Sequence, residues 1–176
     1  MMIIKKNIKK LLSSLFCVNM LLACALFASC DHSPEDEETT TEETTTYTGS
    51  GLVTFLGTGS LNTDGDVEVT PNGWETVVEL NSAITVSSLK SLTVNAKKSN
   101  ADVNAGINFT NEEDGEGNTV TATITSTDFA DCEVDISKCT AQSLPKAQLW
   151  LVDSGWSSAV PSEKITIHSI TIVKNK

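Results

Sequence analysis

The chain of 176 residues contains no arginine, two histidines, one tyrosine and three tryptophans. Twelve lysines oppose 23 acidic residues, so the chain lacks the clustered cations that hold phosphate groups. Nucleic acid is therefore not an expected partner. Because His32 lies in an acidic tract, a nucleophile–histidine–acid triad would depend on His168, and the spacings of zinc proteases, nucleophile elbows and phosphate loops do not occur. We expect a protein that is not an enzyme, and we assign no catalytic residue.

Residues 1–29 have the composition of an export signal. Four lysines and no acid stand in the first ten residues, and an apolar run with three polar interruptions follows at 11–27. Ala28 and Ser29 directly precede Cys30, which resembles the lipobox of bacterial lipoproteins. This resemblance implies cleavage before Cys30 and acylation of its thiol. A transmembrane anchor is the alternative, but a run of 17 residues is at the short limit for a membrane span.

The segment after Cys30 is acidic and almost without apolar side chains. Residues 31–47 hold seven acids and no lysine, and residues 39–46 consist of threonine and glutamate alone. Such a composition buries too little surface to fold, which predicts a lipidated, disordered tether over residues 30–50. An acidic stretch at this place also resembles the surface-export signal of lipoproteins in glycan-foraging Gram-negative anaerobes. That resemblance implies an outer-membrane protein, anchored to the membrane by lipid, that faces the cell exterior.

Residues 51–176 show alternation of apolar and polar side chains with period two, and no amphipathic helix is predicted there. Strands are predicted at 52–56, 66–70, 74–80, 91–97, 102–110, 120–124, 132–136, 147–152 and 164–173. The parity of the last strand changes at His168-Ser169, which predicts a bulge. So many strands with one apolar face each are most simply paired as two packed sheets. We predict one all-β domain, an antiparallel two-sheet β-sandwich.

The order of these features resembles the jelly-roll carbohydrate-binding modules with a galactose-binding-like fold. The resemblance rests on Gly73-Trp74 at the start of an early strand, on the strand steps at 88–94, 132–137 and 147–152, and on the broken final strand. It implies a jelly-roll sandwich and a carbohydrate ligand. These modules often carry an acidic residue in the last-strand break, where this chain has His168-Ser169. That departure argues against transferring their structural calcium.

Tryptophan is the residue type that points most directly to a ligand, because indole rings pack on the C–H faces of sugars while hydroxyl groups need fixed polar partners. Trp150 shares strand parity with Gln148, and both alternate with leucines. Trp156 and Trp74 each lie next to a turn glycine. We expect Trp150, Gln148, Trp156 and Trp74 to bind a neutral polysaccharide or oligosaccharide, while packing of these tryptophans in the core stays open.

The remaining motifs leave alternatives open. Cys132 and Cys139 could form a structural disulfide or be two small apolar residues. The acidic segments 62–66 and 111–116 could bind Ca²⁺ through hard oxygen ligands or could be hairpin turns. We assign no metal residue and no cofactor.

These observations lead to two hypotheses on function. The first is a non-catalytic cell-surface lipoprotein that binds carbohydrate. The second is a structural or adhesive surface sandwich that binds a protein partner. Residues 51–176 hold 16 acids and 8 lysines, a net charge of −8 that argues against polyanionic ligands under either hypothesis.

Overall fold

The computed structural model describes residues 41–72, 76–111 and 117–176. The elements follow in chain order as β1 (Glu42–Thr48), α1 (Gly49–Leu56), β2 (Ser60–Leu61), β3 (Val67–Val69), β4 (Thr76–Thr85), β5 (Leu89–Lys98), β6 (Val103–Thr110), β7 (Thr119–Ile124), β8 (Ala130–Glu133), β9 (Ser143–Asp153) and β10 (Ile165–Asn175). The predicted signal segment and Cys30 lie outside the described residues.

The strands form two antiparallel sheets. The first has the order β2-β3-β10-β5-β8, with β1 also paired to β10, and the second has the order β4-β9-β6-β7. From β3 to β10 the chain crosses between the sheets at every connection except the one from β6 to β7, which are neighbours. This is the strand order of a jelly roll. The predicted all-β, two-sheet sandwich is confirmed.

Alternation along the strands builds the core between the sheets. Val94 of β5 and Ile107 and Phe109 of β6 have no exposed surface, whereas Asn95 and Asn108, which point to the outer faces, are partly exposed. Full burial of a side chain of this size contributes about 1.5–3 kcal/mol relative to leaving it in water. The predicted break in the final strand is also present, since the pairing of β10 with β5 shifts register between Ile167 and Ser169.

The N-terminal part of the domain differs from the sequence prediction in two ways. Residues 42–48, assigned to the tether, form β1, which pairs along its length with residues 169–175 of β10. Most side chains of β1 are exposed, so hydrogen bonding to β10 holds the strand rather than burial. Composition indicates how much apolar surface a segment can bury. It does not predict a polar strand that is held by backbone hydrogen bonds to the edge of β10.

The predicted strand at 52–56 is wrong, because this segment lies in α1. Leu52, Phe55 and Leu56 are buried, which is the i, i+3, i+4 spacing of a helix. The helix ends at Gly57, whose φ of 65° is left-handed and whose N–H donates to the Val53 carbonyl. Phe55 stacks on Tyr47 of β1 with ring centroids 4.1 Å apart. Among the described residues, no helix combines the length and the apolar character that crossing a membrane requires.

The described part of the chain bears on two of the open alternatives. Cys132 and Cys139 are free thiols, and burial raises the pKa of the Cys132 thiol. The segment 62–66 is a turn, in which the Asn62 side-chain oxygen accepts hydrogen bonds from the backbone N–H groups of Asp64 and Asp66, both at 2.9 Å. The second acidic segment lies mainly outside the described residues.

Candidate functional site

One outer sheet face combines aromatic and neutral polar side chains. We call it the tryptophan face and define it by Gly106 and Asn108 of β6, Thr121 of β7, Gln148 and Trp150 of β9, and Trp156 of the following loop. Gln148 and Trp150 point away from the core while Leu149 and Leu151 are fully buried. The sequence alternation thus predicted this placement of Gln148 and Trp150, and the structure brings Trp156 to the same face.

The Trp150 ring lies over a glycine of the neighbouring strand. Gly106 pairs directly with Trp150, and a Cβ atom added at Gly106 would lie 2.4 Å from the indole Cζ2 atom. Trp150 is 5% exposed although it does not belong to the hydrophobic core cluster. Its indole N–H donates to the side-chain oxygen of Asn108 at 3.1 Å. The ring is therefore held in one orientation on the sheet surface.

A hydrogen-bonded row of neutral side chains crosses three strands beside Trp150. The Asn108 amide nitrogen donates to the Gln148 side-chain oxygen at 3.0 Å, and the Thr121 hydroxyl donates to the Asn108 side-chain oxygen at 3.0 Å. Sequence reasoning missed Asn108 and Thr121, because alternation assigns each to an outer face but does not say which strand lies beside β9. The row presents fixed amide and hydroxyl groups next to an indole ring.

Trp156 extends this surface outward. Its ring centroid lies 5.4 Å from that of Trp150, with 38° between the ring planes, and it is 51% exposed. Its backbone has a φ of 58°, a left-handed conformation that bulky residues rarely adopt. The two tryptophans form an aromatic step in which one ring is covered and the other is open to solvent.

Asp153 closes the loop that carries Trp156. Its carboxylate accepts hydrogen bonds from the backbone N–H groups of Ser157 at 2.7 Å and Ser158 at 3.2 Å and from the Ser157 hydroxyl at 2.8 Å. The bond from the Ser157 N–H, followed by the other two, lowers the pKa of the Asp153 carboxyl below its ordinary value. The carboxylate is thus ionised and engaged within its own loop.

Trp74, the fourth predicted ligand-binding residue, lies outside the described residues, so its prediction remains as stated. The structure therefore brings together three of the four predicted ligand-binding residues, Gln148, Trp150 and Trp156.

The outer face of the first sheet carries a different cluster, which we call the histidine face and define by Asn95, Lys97, Phe129, Asp131 and His168. His168 Nδ1 lies 2.7 Å from a carboxylate oxygen of Asp66, a residue that is 7% exposed. The Phe129 ring lies 5.6 Å from the His168 ring, and Lys97 Nζ lies 4.4 Å from the Phe129 centroid. This face is on the opposite side of the sandwich from the tryptophans, so His168 does not belong to their site.

A groove of about 540 Å³ lies at the start of β7, and Gly117, Asp135, Lys138, Cys139 and Thr140 contribute to its lining. Hydrogen bonds from Ser137 lower the pKa of the Asp135 carboxyl. None of the described residues that line it is aromatic. In the three described ranges no three His, Cys, Asp or Glu side chains are grouped as ligands for a metal ion.

Comparisons with known proteins add little to this geometry. No protein-family model and no curated protein matches the chain. Among solved structures, the chain is similar to a family two carbohydrate esterase from Cellvibrio japonicus, with 12% sequence identity, a TM-score of 0.43 and coverage of 77% of this chain and 35% of that chain. The chain thus spans about a third of that enzyme. A likeness of this size carries no conclusion on activity.

Proposed function

We propose that the protein is a non-catalytic, lipid-anchored surface protein that binds a neutral carbohydrate on the tryptophan face. The observation that carries this proposal is the pairing of Trp150 and Trp156, with centroids 5.4 Å apart, beside the hydrogen-bonded row of Gln148, Asn108 and Thr121. Indole rings offer a flat apolar surface to the C–H groups of a sugar, and the amide and hydroxyl groups offer partners for its hydroxyls. One sheet face offers both kinds of group.

The charges around this surface favour a neutral ligand. The amide and hydroxyl groups of the row carry no charge, and the nearby Asp153 carboxylate is ionised, since its pKa is lowered. Lys146 and Glu79, on the same side of the sheet, lie 3.7 Å apart and offset each other. With a net charge of −8 over residues 51–176, a polyanionic glycan would be repelled.

The width of this outer face favours an oligosaccharide over a monosaccharide. The polar row runs from Thr121 through Asn108 to Gln148, and the apolar Val77 of β4, which pairs directly with Gln148, extends the face by one more strand. Three strand spacings amount to about 14 Å. A chain of several sugar rings could follow the row while one ring packs on Trp156.

The state of the nearest carboxyl group supports the non-catalytic part of the proposal. General acid catalysis of glycoside cleavage needs a carboxyl group whose pKa is raised so that it stays protonated. The carboxyl group of Asp153, beside the tryptophans, has its pKa lowered and is engaged by Ser157 and Ser158. It is therefore suited to hold the loop rather than to protonate a substrate.

Affinity electrophoresis of the full chain through gels that contain soluble polysaccharides tests the binding proposal. We expect retardation by at least one neutral glycan and loss of retardation in Trp156→Ala and Gln148→Ala. Phe129→Ala is the matched control, because Phe129 is an exposed aromatic residue on the opposite sheet, 39% exposed. Absence of retardation by every glycan, or equal loss in the Phe129 variant, would contradict the proposal.

The lipid anchor is a separate part of the proposal and rests on the sequence around Cys30. A multiply acylated cysteine binds a membrane stably, since each buried methylene contributes about 0.8 kcal/mol. Cys30→Ala should abolish incorporation of labelled palmitate, whereas Cys139→Ser should retain it. Digestion of intact cells with an added protease should remove the domain if the protein sits in the outer membrane and faces the exterior.

The alternative is a surface protein that binds another protein through the same face. Exposed tryptophans are frequent centres of protein interfaces, and Trp156 and Val77 are both exposed on this side of the sheet. A stoichiometric partner that co-purifies after crosslinking, and that is lost in Trp156→Ala while no glycan retards the protein, would favour this function over the first.

A further inference from the structure

We propose that Asp153 is a positioning residue, which holds Trp156 next to Trp150 before any ligand arrives. The effect on the two indole rings stands on the loop geometry alone, while its consequence for affinity rests on the proposed carbohydrate binding. Asp153 itself is not assigned a contact with the ligand.

The backbone at Trp156 needs an explanation, because it is unfavourable by itself. Trp156 is the one non-glycine residue with positive φ among those that the structure describes, at 58°. A side chain of this size in the left-handed region persists only where the surroundings enforce it. The neighbouring Gly155 would have tolerated such a conformation at no cost, yet its φ is not positive. The left-handed position of the loop is thus occupied by Trp156 and not by the adjacent glycine.

Asp153 supplies the groups that enforce this conformation. Its carbonyl oxygen accepts a hydrogen bond from the Trp156 N–H at 3.0 Å, and its own N–H donates to the Ser158 carbonyl at 2.9 Å. Its carboxylate accepts three further hydrogen bonds from Ser157 and Ser158. A bridge between Val152 and Ala159 closes the loop at the end of β9. The backbone and the side chain of Asp153 thus form hydrogen bonds with Trp156 and with the two residues that follow it.

The consequence is an aromatic step that is formed in the unliganded protein. An exposed tryptophan on an unrestrained loop would lose rotational freedom when a sugar binds, and that loss weakens affinity. With Asp153 in place, the loop is already closed and the ring is already beside Trp150, so the ligand meets an ordered surface. Removal of the carboxylate should leave the sheet intact and release the ring.

The test compares Asp153→Ala with Asp153→Asn in the full chain. Asparagine retains an oxygen that can accept from the N–H groups of Ser157 and Ser158, whereas alanine retains none. Asp102→Ala is the matched control, because Asp102 is an exposed aspartate next to Val103, the residue that pairs with Asp153. The readout is the circular dichroism couplet that two coupled indole rings produce, with Trp156→Phe as the reference that lacks it.

We expect Asp153→Ala to lose at least half of the couplet, and Asp153→Asn and Asp102→Ala to retain most of it. Glycan affinity should fall about three- to tenfold in Asp153→Ala, in line with the cost of ordering one side chain on binding. An unchanged couplet in Asp153→Ala would overturn the positioning role whatever the glycan result. A lost couplet in a protein that binds no glycan would support the positioning role and remove the proposed function. If Asp153→Ala does not fold, Ser157→Ala, which removes only the hydroxyl bond, should weaken the couplet partially, and an unchanged couplet there would count against the proposal.

Discussion

The two outer faces of the sandwich present aromatic rings in different electrostatic surroundings. On the histidine face, Phe129 lies under the ammonium group of Lys97 and beside the ring of His168, which in turn contacts the Asp66 carboxylate. On the tryptophan face, Trp150 donates to the neutral amide of Asn108. An exposed aromatic residue by itself therefore does not define a sugar-binding surface. The neutral hydrogen-bonding groups around the ring distinguish the two faces.

Backbone support also differs between the faces. Trp150 covers Gly106, and its position depends on the missing side chain there. Phe129 precedes the short edge strand β8 and is 39% exposed. The Trp150 ring is fixed by contact with Gly106 beneath it and by its hydrogen bond to Asn108. The Phe129 ring contacts Lys97 and His168, whose side chains are also in contact with water. Substitutions should therefore affect the two faces unequally.

The largest expected effect is that of Gly106→Ala. The added Cβ would lie 2.4 Å from Cζ2 of Trp150 and 2.8 Å from the carbonyl oxygen of Ala122, so both the ring and the strand must shift. Because a backbone carbonyl as well as the ring must move, we expect a loss of about 3 kcal/mol or more in the free energy of unfolding, measured by urea denaturation, together with loss of glycan retention. Gly51→Ala is the control, because its Cβ would meet no atom within 4 Å. Equal stability of the two variants would show that Trp150 does not depend on Gly106.

Asn108→Ala should have the next largest effect. Asn108 takes part in hydrogen bonds with Gln148, Trp150 and Thr121, and each such bond contributes about 1 kcal/mol to stability. We expect a loss of about 2–3 kcal/mol in unfolding free energy and a change in the near-ultraviolet circular dichroism of tryptophan. Asn95→Ala on the histidine face removes one exposed bond to Asp131 and should cost less than about 1 kcal/mol. A larger loss of stability for Asn95→Ala than for Asn108→Ala would contradict the conclusion that the tryptophan face is the more strongly held of the two.

His168→Ala tests whether the two faces are independent, and we expect a smaller loss of stability than for Asn108→Ala. It removes the contact of the buried Asp66 carboxylate with the imidazole, so some loss of thermal stability is expected. Because His168 lies on the opposite side of the sandwich from Trp156, glycan retardation in the gel should equal that of the unchanged protein. Weakened retardation in a folded His168→Ala protein would mean that the ligand also uses the histidine face.

The smallest expected effect is the acid response of the Trp156 loop. Hydrogen bonds from Ser157 lower the pKa of Asp153 below its ordinary value of 3.8. A lowered pKa means that the stabilisation is fully present above the ordinary value and is lost as the pH falls through the lower pKa of the folded protein. The Trp150–Trp156 dichroism should therefore persist at pH 4 and weaken only at stronger acidity. Weakening already above pH 5 would contradict this sign.

Much of the sandwich could be predicted from alternation. The strands around Val94, Ile107 and Leu149 have one apolar face each, and the structure buries those faces. The bulge at His168-Ser169 was readable from the change of parity, because a one-residue shift exchanges the two faces of a strand. Alternation also assigned Gln148 and Trp150 to one outer face.

The N-terminal elements could not be predicted in the same way. Residues 42–48 bury little surface, so their composition is that of an unfolded segment, and only the free edge of β10 gives them hydrogen-bonding partners. Leu52, Phe55 and Leu56 occupy one face of α1, but the run is a single short stretch that also fits a strand. Its helical form is accompanied by tertiary packing that the local pattern does not contain, such as the stacking of Phe55 on Tyr47 from β1.

The sequence by itself determined the alternation of buried and exposed residues, and with it the two-sheet architecture, because burial of apolar side chains depends on local periodicity. It also determined the net negative charge of the chain, −11, which argues against phosphate-rich partners. Only the tertiary structure decided which strands are neighbours. That choice placed Asn108 beside Gln148 and Gly106 beneath Trp150, and it folded Trp156 back onto the same surface. Hydrogen bonds between residues 40 or more positions apart depend on strand order, which a local pattern does not contain.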